Sequence, residues 1–236
     1  MKLGNELYRN HLKNPGGKQY LVDKMTDHLN LRKRMILEQI EVRGVRDERL
    51  LQAMGNVRRE TFVPSNLQDL AYADRPLAIG HGQTISQPFI VAYMIEALAL
   101  KGGERVLEIG AGSGYAAAVM AEIASEVFAI ERIGQLAEKA ATHLIDEGYS
   151  NVHVLHSDGT RGWDEFAPFD AILVSAGATE IPETLKSQLK IEGRMVVPVG
   201  ASTRTQQLIR ITRGLKGQFS QEILTNVSFV PLISDH

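Results

Sequence analysis

Val106-Leu107-Glu108-Ile109-Gly110-Ala111-Gly112-Ser113-Gly114-Tyr115 carries the architecture of this chain. An apolar strand, 105–109, runs into three alternating glycines, and an alanine-rich helix, 115–124, follows at once. A strand that breaks into glycines and opens a helix is the setting in which backbone N–H groups cradle a nucleotide-like ligand. The glycines let the backbone turn sharply and approach that ligand closely. Their spacing is Gly-x-Gly-x-Gly, whereas a dinucleotide fingerprint needs Gly-x-Gly-x-x-Gly, and Tyr115 occupies its last position. An acidic residue, Glu108, lies two positions before the first glycine. Both features favour an S-adenosylmethionine site over a dinucleotide site. A tight strand–helix turn without a ligand is the plain alternative.

Working outward, apolar strands at 127–130, 152–156, 171–174 and 195–199 alternate with helices at 135–147 and 182–190, and 208–212 and 227–230 close the chain as strands. This alternation predicts an α/β fold with a doubly wound, mostly parallel, Rossmann-like sheet, and ligands beyond the carboxyl ends of its strands. Upstream, apolar residues at 35, 36, 37 and 40 predict a helix over 31–42, stopped by Gly44. Asp47 can cap a second helix carrying Leu50, Leu51, Met54 and Val57 on one side. Residues 58–87, punctuated by Pro64, Pro76, Gly80 and Gly82, read as one long irregular stretch, which inside a compact domain is either functional or wrongly assigned. Ser86 reads as the N-cap of a helix running from Gln87 to about residue 100. Residues 1–30, broken by Asn14-Pro15-Gly16-Gly17, read as an N-terminal extension. A single domain, 31–236, is expected beyond it: a helical part with a substrate loop, 31–100, and a cofactor-binding α/β core, 101–236.

Composition narrows the function further. The 236 residues are 44% hydrophobic and 23% charged, as in ordinary globular proteins, and contain no cysteine, which excludes disulfides, thiolate metal sites and a cysteine nucleophile. The longest apolar stretch, 89–100, is interrupted by Glu96 and is too short to span a bilayer, and the start has no apolar signal-peptide core. A cytoplasmic protein without a membrane partner is expected. Residues 1–60 carry 13 basic and 8 acidic side chains, residues 61–236 carry 13 and 20, and the net charge is −2. Because Arg32, Lys33, Arg34, Arg43, Arg46 and Arg49 are interleaved with Glu38, Glu41, Asp47 and Glu48, the basic part reads as solvated helix faces rather than a nucleic-acid arm.

Two more carboxylates fit an adenosine ligand. Glu131 ends the second strand, 21 residues after Gly110, where it can accept from both ribose hydroxyls; stabilising a helix N-terminus is a compatible role. Asp158, after the third strand, can accept from an adenine amino group, and Gly159 leaves room for the ring. His153 and His156, three apart on a strand, point to opposite faces and make no metal pair.

Longer blocks resemble a known family, the protein-L-isoaspartate O-methyltransferases, from about Arg58 to Leu232. They are Phe62-Val63-Pro64, the run Pro76 to Pro88 (PLAIGHGQTISQP), Leu107 to Tyr115, Ile130-Glu131-Arg132, Ala167 to Ile172 (APFDAI), Val197-Pro198-Val199-Gly200 and Phe229-Val230-Pro231-Leu232. Ala111, Ser157 and Ser175-Ala176-Gly177 depart from the usual family residues by small substitutions. The resemblance implies a class I fold and methyl transfer from S-adenosyl-L-methionine to the free α-carboxylate of L-isoaspartyl residues in damaged proteins and peptides. The ester then closes, uncatalysed, to a succinimide that hydrolyses partly to normal aspartate. It also implies Ser86 as the active-site serine, with Thr84, Phe229, Val230 and Pro231 against the substrate peptide. It puts Ile85, Ser86, Glu108, Gly110, Gly112, Ser113, Gly114, Glu131, Arg132, Asp158 and Gly159 around the cofactor. The nucleophile is an already ionised carboxylate, so neither a general base nor a metal is required. A nucleic-acid methyltransferase is disfavoured because residues 174–177 read Val-Ser-Ala-Gly instead of Asp/Asn-Pro-Pro-Tyr, and a non-catalytic binding module because the block from Gln83 to Pro88 is intact.

Overall fold

The computed structural model describes residues 27–202 and 205–235. The described residues open in a helix, α1 (27–34), which continues as a π-helix, Met35–Ile40, and a 3-10 turn, Glu41–Arg43. Gly44 ends it with φ 99°, a left-handed conformation that favours glycine. The expected start of the domain at residue 31 falls inside this helix, and His28 is buried with Nδ1 3.6 Å from Glu60 Oε1. The rest of the expected extension, residues 1–26, lies outside the described residues. Arg32 also departs from a solvated face. It is buried, and it donates from Nε to the Tyr72 hydroxyl at 2.9 Å and from Nη1 to the Gly55 carbonyl at 3.0 Å. Arg34 does sit on the surface, paired with Glu38.

Asp47 caps α2 (Glu48–Asn56) as its position suggests, accepting from the Arg49 and Leu50 N–H groups, and the helix buries Leu50, Ala53 and Met54. Residues 58–87 are more ordered than their breakers imply. Two 3-10 turns, Arg59–Phe62 and Ser65–Leu70, lead into an antiparallel hairpin of β1 (Leu77–Gly80) and β2 (Gln83–Ile85). Its strands are three and four residues long, too short to show an alternating pattern. Helix α3 (Pro88–Leu98) follows.

The sheet contains β3 (Arg105–Ile109), β4 (Glu126–Glu131), β5 (Val152–His156), β6 (Phe169–Val174), β7 (Leu189–Ser202), β8 (Thr205–Arg213) and β9 (Phe219–Val227), in the order β5-β4-β3-β6-β7-β8-β9. The first five strands in that order are parallel, and β8 and β9 are antiparallel. Alternate residues of the central strands feed two cores. Val106, Ala129, Ala171 and Leu173 pack with α2, α3 and α4 (Tyr115–Ala121), whereas Leu107, Ile109, Phe128, Ile130 and Ile172 face the opposite side. Helices α5 (Gly134–Asp146) and α6 (Glu183–Ser187) complete the chain.

The last third corrects two expectations. The helix expected over 182–190 is only five residues long, because β7 already begins at Leu189 and bulges near Glu192, which has φ 63°. The last strand is Phe219–Val227, not 227–230. It is an edge strand, mostly exposed, so no apolar alternation announces it. Residues 228–230 instead lead to Pro231, which bridges Gly177. None of the described helices is long and apolar enough to cross a membrane. Asp47→Ala should lower the stability of the folded chain by about 1 kcal/mol through the lost cap, read as a shifted midpoint in chemical denaturation.

Candidate active site

Strand order reverses between β3 and its neighbours β4 and β6, and a cleft opens at their carboxyl ends. The glycine loop between β3 and α4 forms its floor. Gly110 and Ala111 both donate to the Ile130 carbonyl, at 2.8 and 3.1 Å, which ties the loop to the end of β4. Gly112 (φ 56°) and Gly114 (φ 90°) hold left-handed conformations, and a Cβ on Gly114 would come within 3.2 Å of Leu144.

Three buried carboxylates surround the loop, each in a different state. Glu131 accepts from the Gly112 N–H through Oε2 and from the Ile133 N–H through Oε1, both at 2.9 Å. It therefore shapes the loop, a role sequence reasoning missed, and a carboxylate with about four acceptor sites keeps capacity for a ligand. Glu108 accepts from the Ser175 hydroxyl at 3.2 Å through Oε1, while its buried Oε2 has no partner among the described residues. Burial pushes this carboxyl up to about 8; the Ser175 hydrogen bond opposes the shift, and the Glu131 charge adds to it. Asp158 is also buried, and burial alone would raise it. Hydrogen bonds from Thr160 Oγ1 (2.7 Å) and N (2.8 Å), Asp235 N (3.2 Å) and Ser234 Oγ (3.3 Å) outweigh that and hold it below the ordinary carboxylate range. Both Asp158 oxygens are thus engaged by the chain's own 3-10 turn and tail.

The tail is the second part of the site. Phe229 N–H donates to Gln206 Oε1 at 2.7 Å, and Gln206 Nε2 returns a bond to the Phe229 carbonyl at 3.3 Å. Gly177 N–H donates to the Val230 carbonyl, and the Gly177 carbonyl accepts from Leu232 N–H, each at 2.8 Å. Farther on, Arg132 Nη1 reaches Asp235 Oδ1 at 3.2 Å.

Most residues singled out from sequence converge on this cleft. Gly110, Gly112, Glu131, Arg132, Gly159, Val230 and Pro231 line one part of it, and Ile85, Ser86, Glu108, Ser113 and Phe229 an adjoining part, with Thr84 on both. Gly114 and Asp158 stand behind these walls. Gly159 packs so tightly that a Cβ would lie 2.5 Å from Ile109 Cγ2. Ser86 is not the cap of α3. Pro88 occupies the first helical turn, Gln87 is the N-cap, and no side chain caps the helix. The Gln87 amide turns to Asp74 Oδ1 at 2.8 Å, and the Ser86 carbonyl accepts from Arg59 Nη2 at 2.7 Å. Sequence reasoning missed Ser175, which lines every part of the cleft; its position just past β6, opposite the glycine loop, was the available signal.

A glycine loop at a topological switch point, with carboxylates at or just past the carboxyl ends of β3, β4 and β5, defines a class I S-adenosylmethionine-dependent methyltransferase. The unpartnered Glu108 oxygen fits such a cofactor, because it leaves a buried hydrogen-bonding position open to a ligand donor. The family model described as protein-L-isoaspartate(D-aspartate) O-methyltransferase (PCMT) matches residues 30–236, and the chain belongs to that family. It is 58% identical over 213 residues to protein-L-isoaspartate O-methyltransferase 1 of Rhodopseudomonas palustris strain HaA2, covering 90% of this chain and 87% of that one. It is 53% identical over 209 residues to protein-L-isoaspartate O-methyltransferase 2 of Marinobacter nauticus, covering 89% and 95%. Among solved structures, one from Plasmodium falciparum bearing the same enzyme name, in complex with S-adenosyl-L-homocysteine, superposes with a TM-score of 0.75 at 28% identity, covering 87% of this chain and 98% of that one.

Glu131→Ala should weaken S-adenosylhomocysteine binding by about 1.5–3 kcal/mol, the usual loss for a hydrogen bond to a charged group, as measured by calorimetry. Glu108 gives a pH test. Its folded pKa lies above the unfolded value, so its contribution is fully favourable below about pH 4.5 and is lost as pH rises towards 8. Glu108→Gln should therefore melt close to wild type at acid pH and increasingly above it up to about pH 8 in the ligand-free protein.

Proposed function

We propose that this chain methylates the free α-carboxylate of L-isoaspartyl residues in damaged proteins and peptides, with Ser86 positioning that carboxylate. One observation carries the assignment of Ser86. Thr84, Ser86, Ser175 and Phe229 line both the inner cleft around the glycine loop and an outer groove of about 850 Å³. The serine thus stands where a peptide in the groove would meet a cofactor in the cleft.

The groove is bounded on one side by Pro76, Gln87 and Ile90 and on the other by Thr205 and residues 226–231. Its tail wall is held rigid by the Gln206 and Gly177 hydrogen bonds, which suits an extended peptide read along its main chain. The Ser86 hydroxyl supplies a donor for one carboxylate oxygen. The acceptor is ionised at neutral pH, so the chain has no proton to remove from it. S-adenosylmethionine supplies the methyl group on a sulfonium sulfur. Glu131, Gly112 and Glu108 would hold it, and the contribution of the remaining residues is orientation, which alone is worth several orders of magnitude in rate.

Transfer of labelled methyl to an isoaspartyl peptide and to its normal aspartyl twin tests this reading. Only the first should be labelled, and the product should release methanol in mild base as the succinimide closes. Isoaspartate leaves its α-carboxylate one methylene nearer the backbone than a normal side-chain carboxylate, a displacement that a rigid site rejects. Ser86→Ala should lower turnover about tenfold or more while leaving cofactor affinity within about twofold, because the lost hydroxyl faces the acceptor. Equal labelling of the two peptides would refute the assignment.

A further inference from the structure

Arg59 is completely buried, yet no carboxylate among the described residues lies within ion-pair distance of it. Its guanidinium donates from Nε to the Ala71 carbonyl and from Nη2 to the Ser86 carbonyl, both at 2.7 Å. Its Cζ sits 4.7 Å from the centre of the Tyr115 ring. Nη1 has no hydrogen-bond partner among the described residues. A buried cation compensated, among the described residues, by two carbonyls and a ring face is costly, and a neutral residue of similar length would fill the space more cheaply. What the charge accomplishes is geometric. Tyr115 is the first residue of α4, directly after the glycine loop, and its ring is fixed from another side by Phe62 at 5.9 Å, edge-on. Ser86 lies in the two-residue link between β2 and α3, and its hydroxyl makes no hydrogen bond within the described chain. The guanidinium therefore joins the acceptor-side link to the cofactor-side helix through one rigid plane.

We propose that Arg59 is a positioning residue for methyl transfer: it fixes the distance between the Ser86 segment and the glycine loop by holding the Ser86 carbonyl while resting on Tyr115. This rests on the role given to Ser86 above. Lysine cannot reproduce it, because an ammonium has neither the planar fork to reach two carbonyls nor a flat face to stack.

The test compares wild type, Arg59→Lys and Arg59→Gln, the last uncharged and still able to donate to one carbonyl. The assay is methyl transfer to an isoaspartyl peptide, with binding of S-adenosylhomocysteine measured separately. Turnover should fall by roughly ten- to a hundredfold, the scale of a displacement near 1 Å, while the cofactor dissociation constant changes less than about threefold. In an Ser86→Ala background, Arg59→Lys should cost far less than it does alone, because both changes act on one element. Normal turnover in a folded variant would overturn the proposal. So would parallel losses of turnover and cofactor affinity, full additivity with Ser86→Ala, or failure of both variants to fold, since each makes Arg59 a general core residue. If the wild-type chain itself labels no isoaspartyl peptide, the substrate assignment fails instead.

Discussion

The carboxylate of Glu131 accepts one hydrogen bond from each of two segments, Gly112 N–H on the glycine loop and Ile133 N–H at the start of α5. Both bonds are made to a charged acceptor in a buried setting, where such bonds are shorter and stronger than neutral ones. The Ile130 carbonyl, one residue back, takes the N–H groups of Gly110 and Ala111. Two consecutive residues at the end of one strand thus dictate the path of the neighbouring strand's loop. That loop sets where α4 begins, and α4 carries the small residues Ala117 and Ala118, fully buried against the sheet. The cleft's shape is inherited from this junction.

Much of that junction was legible in the sequence, because it is built from residues with few alternative uses. Three glycines at alternate positions, all with positive φ here, cannot be mistaken for ordinary helix or strand. The strand Arg105–Ile109 falls where its apolar run places it, since a parallel strand buried on both faces writes its full length in the sequence. The hairpin Leu77–Ile85 was hidden by its brevity, and β9 by its exposure at the sheet's edge. Neither strand class carries the burial pattern that a sequence can record.

Within the site, residue identities were easier to read than residue jobs. Glu131 and Asp158 were recognisable as acidic groups after successive strands. Their hydrogen bonds from Gly112, Ser234 and Asp235 come from a neighbouring strand's loop and from a tail up to 77 residues away, and no local pattern announces such partners. Ser86 illustrates the same limit from the other side. Serine before Gln-Pro looks like a cap, but a proline in the first helical turn has no N–H to satisfy, and the cap position moves to Gln87. The hydroxyl is left without a capping role among the described residues.

Gly177 and Gln206 are locked together by the seating of the tail. A Cβ at 177 would lie 2.0 Å from Gln206 Nε2, and Gln206 is the residue that holds Phe229 through a reciprocal pair of bonds. These positions are distant in sequence and belong to three different elements, yet they cannot drift independently over evolutionary time. A lineage that gained a side chain at 177 would have to shorten residue 206 as well, and would then need another way to seat Phe229. Variation at these three sites is expected to arrive as concerted replacements, leaving a covariation signature even where each residue looks unremarkable by itself.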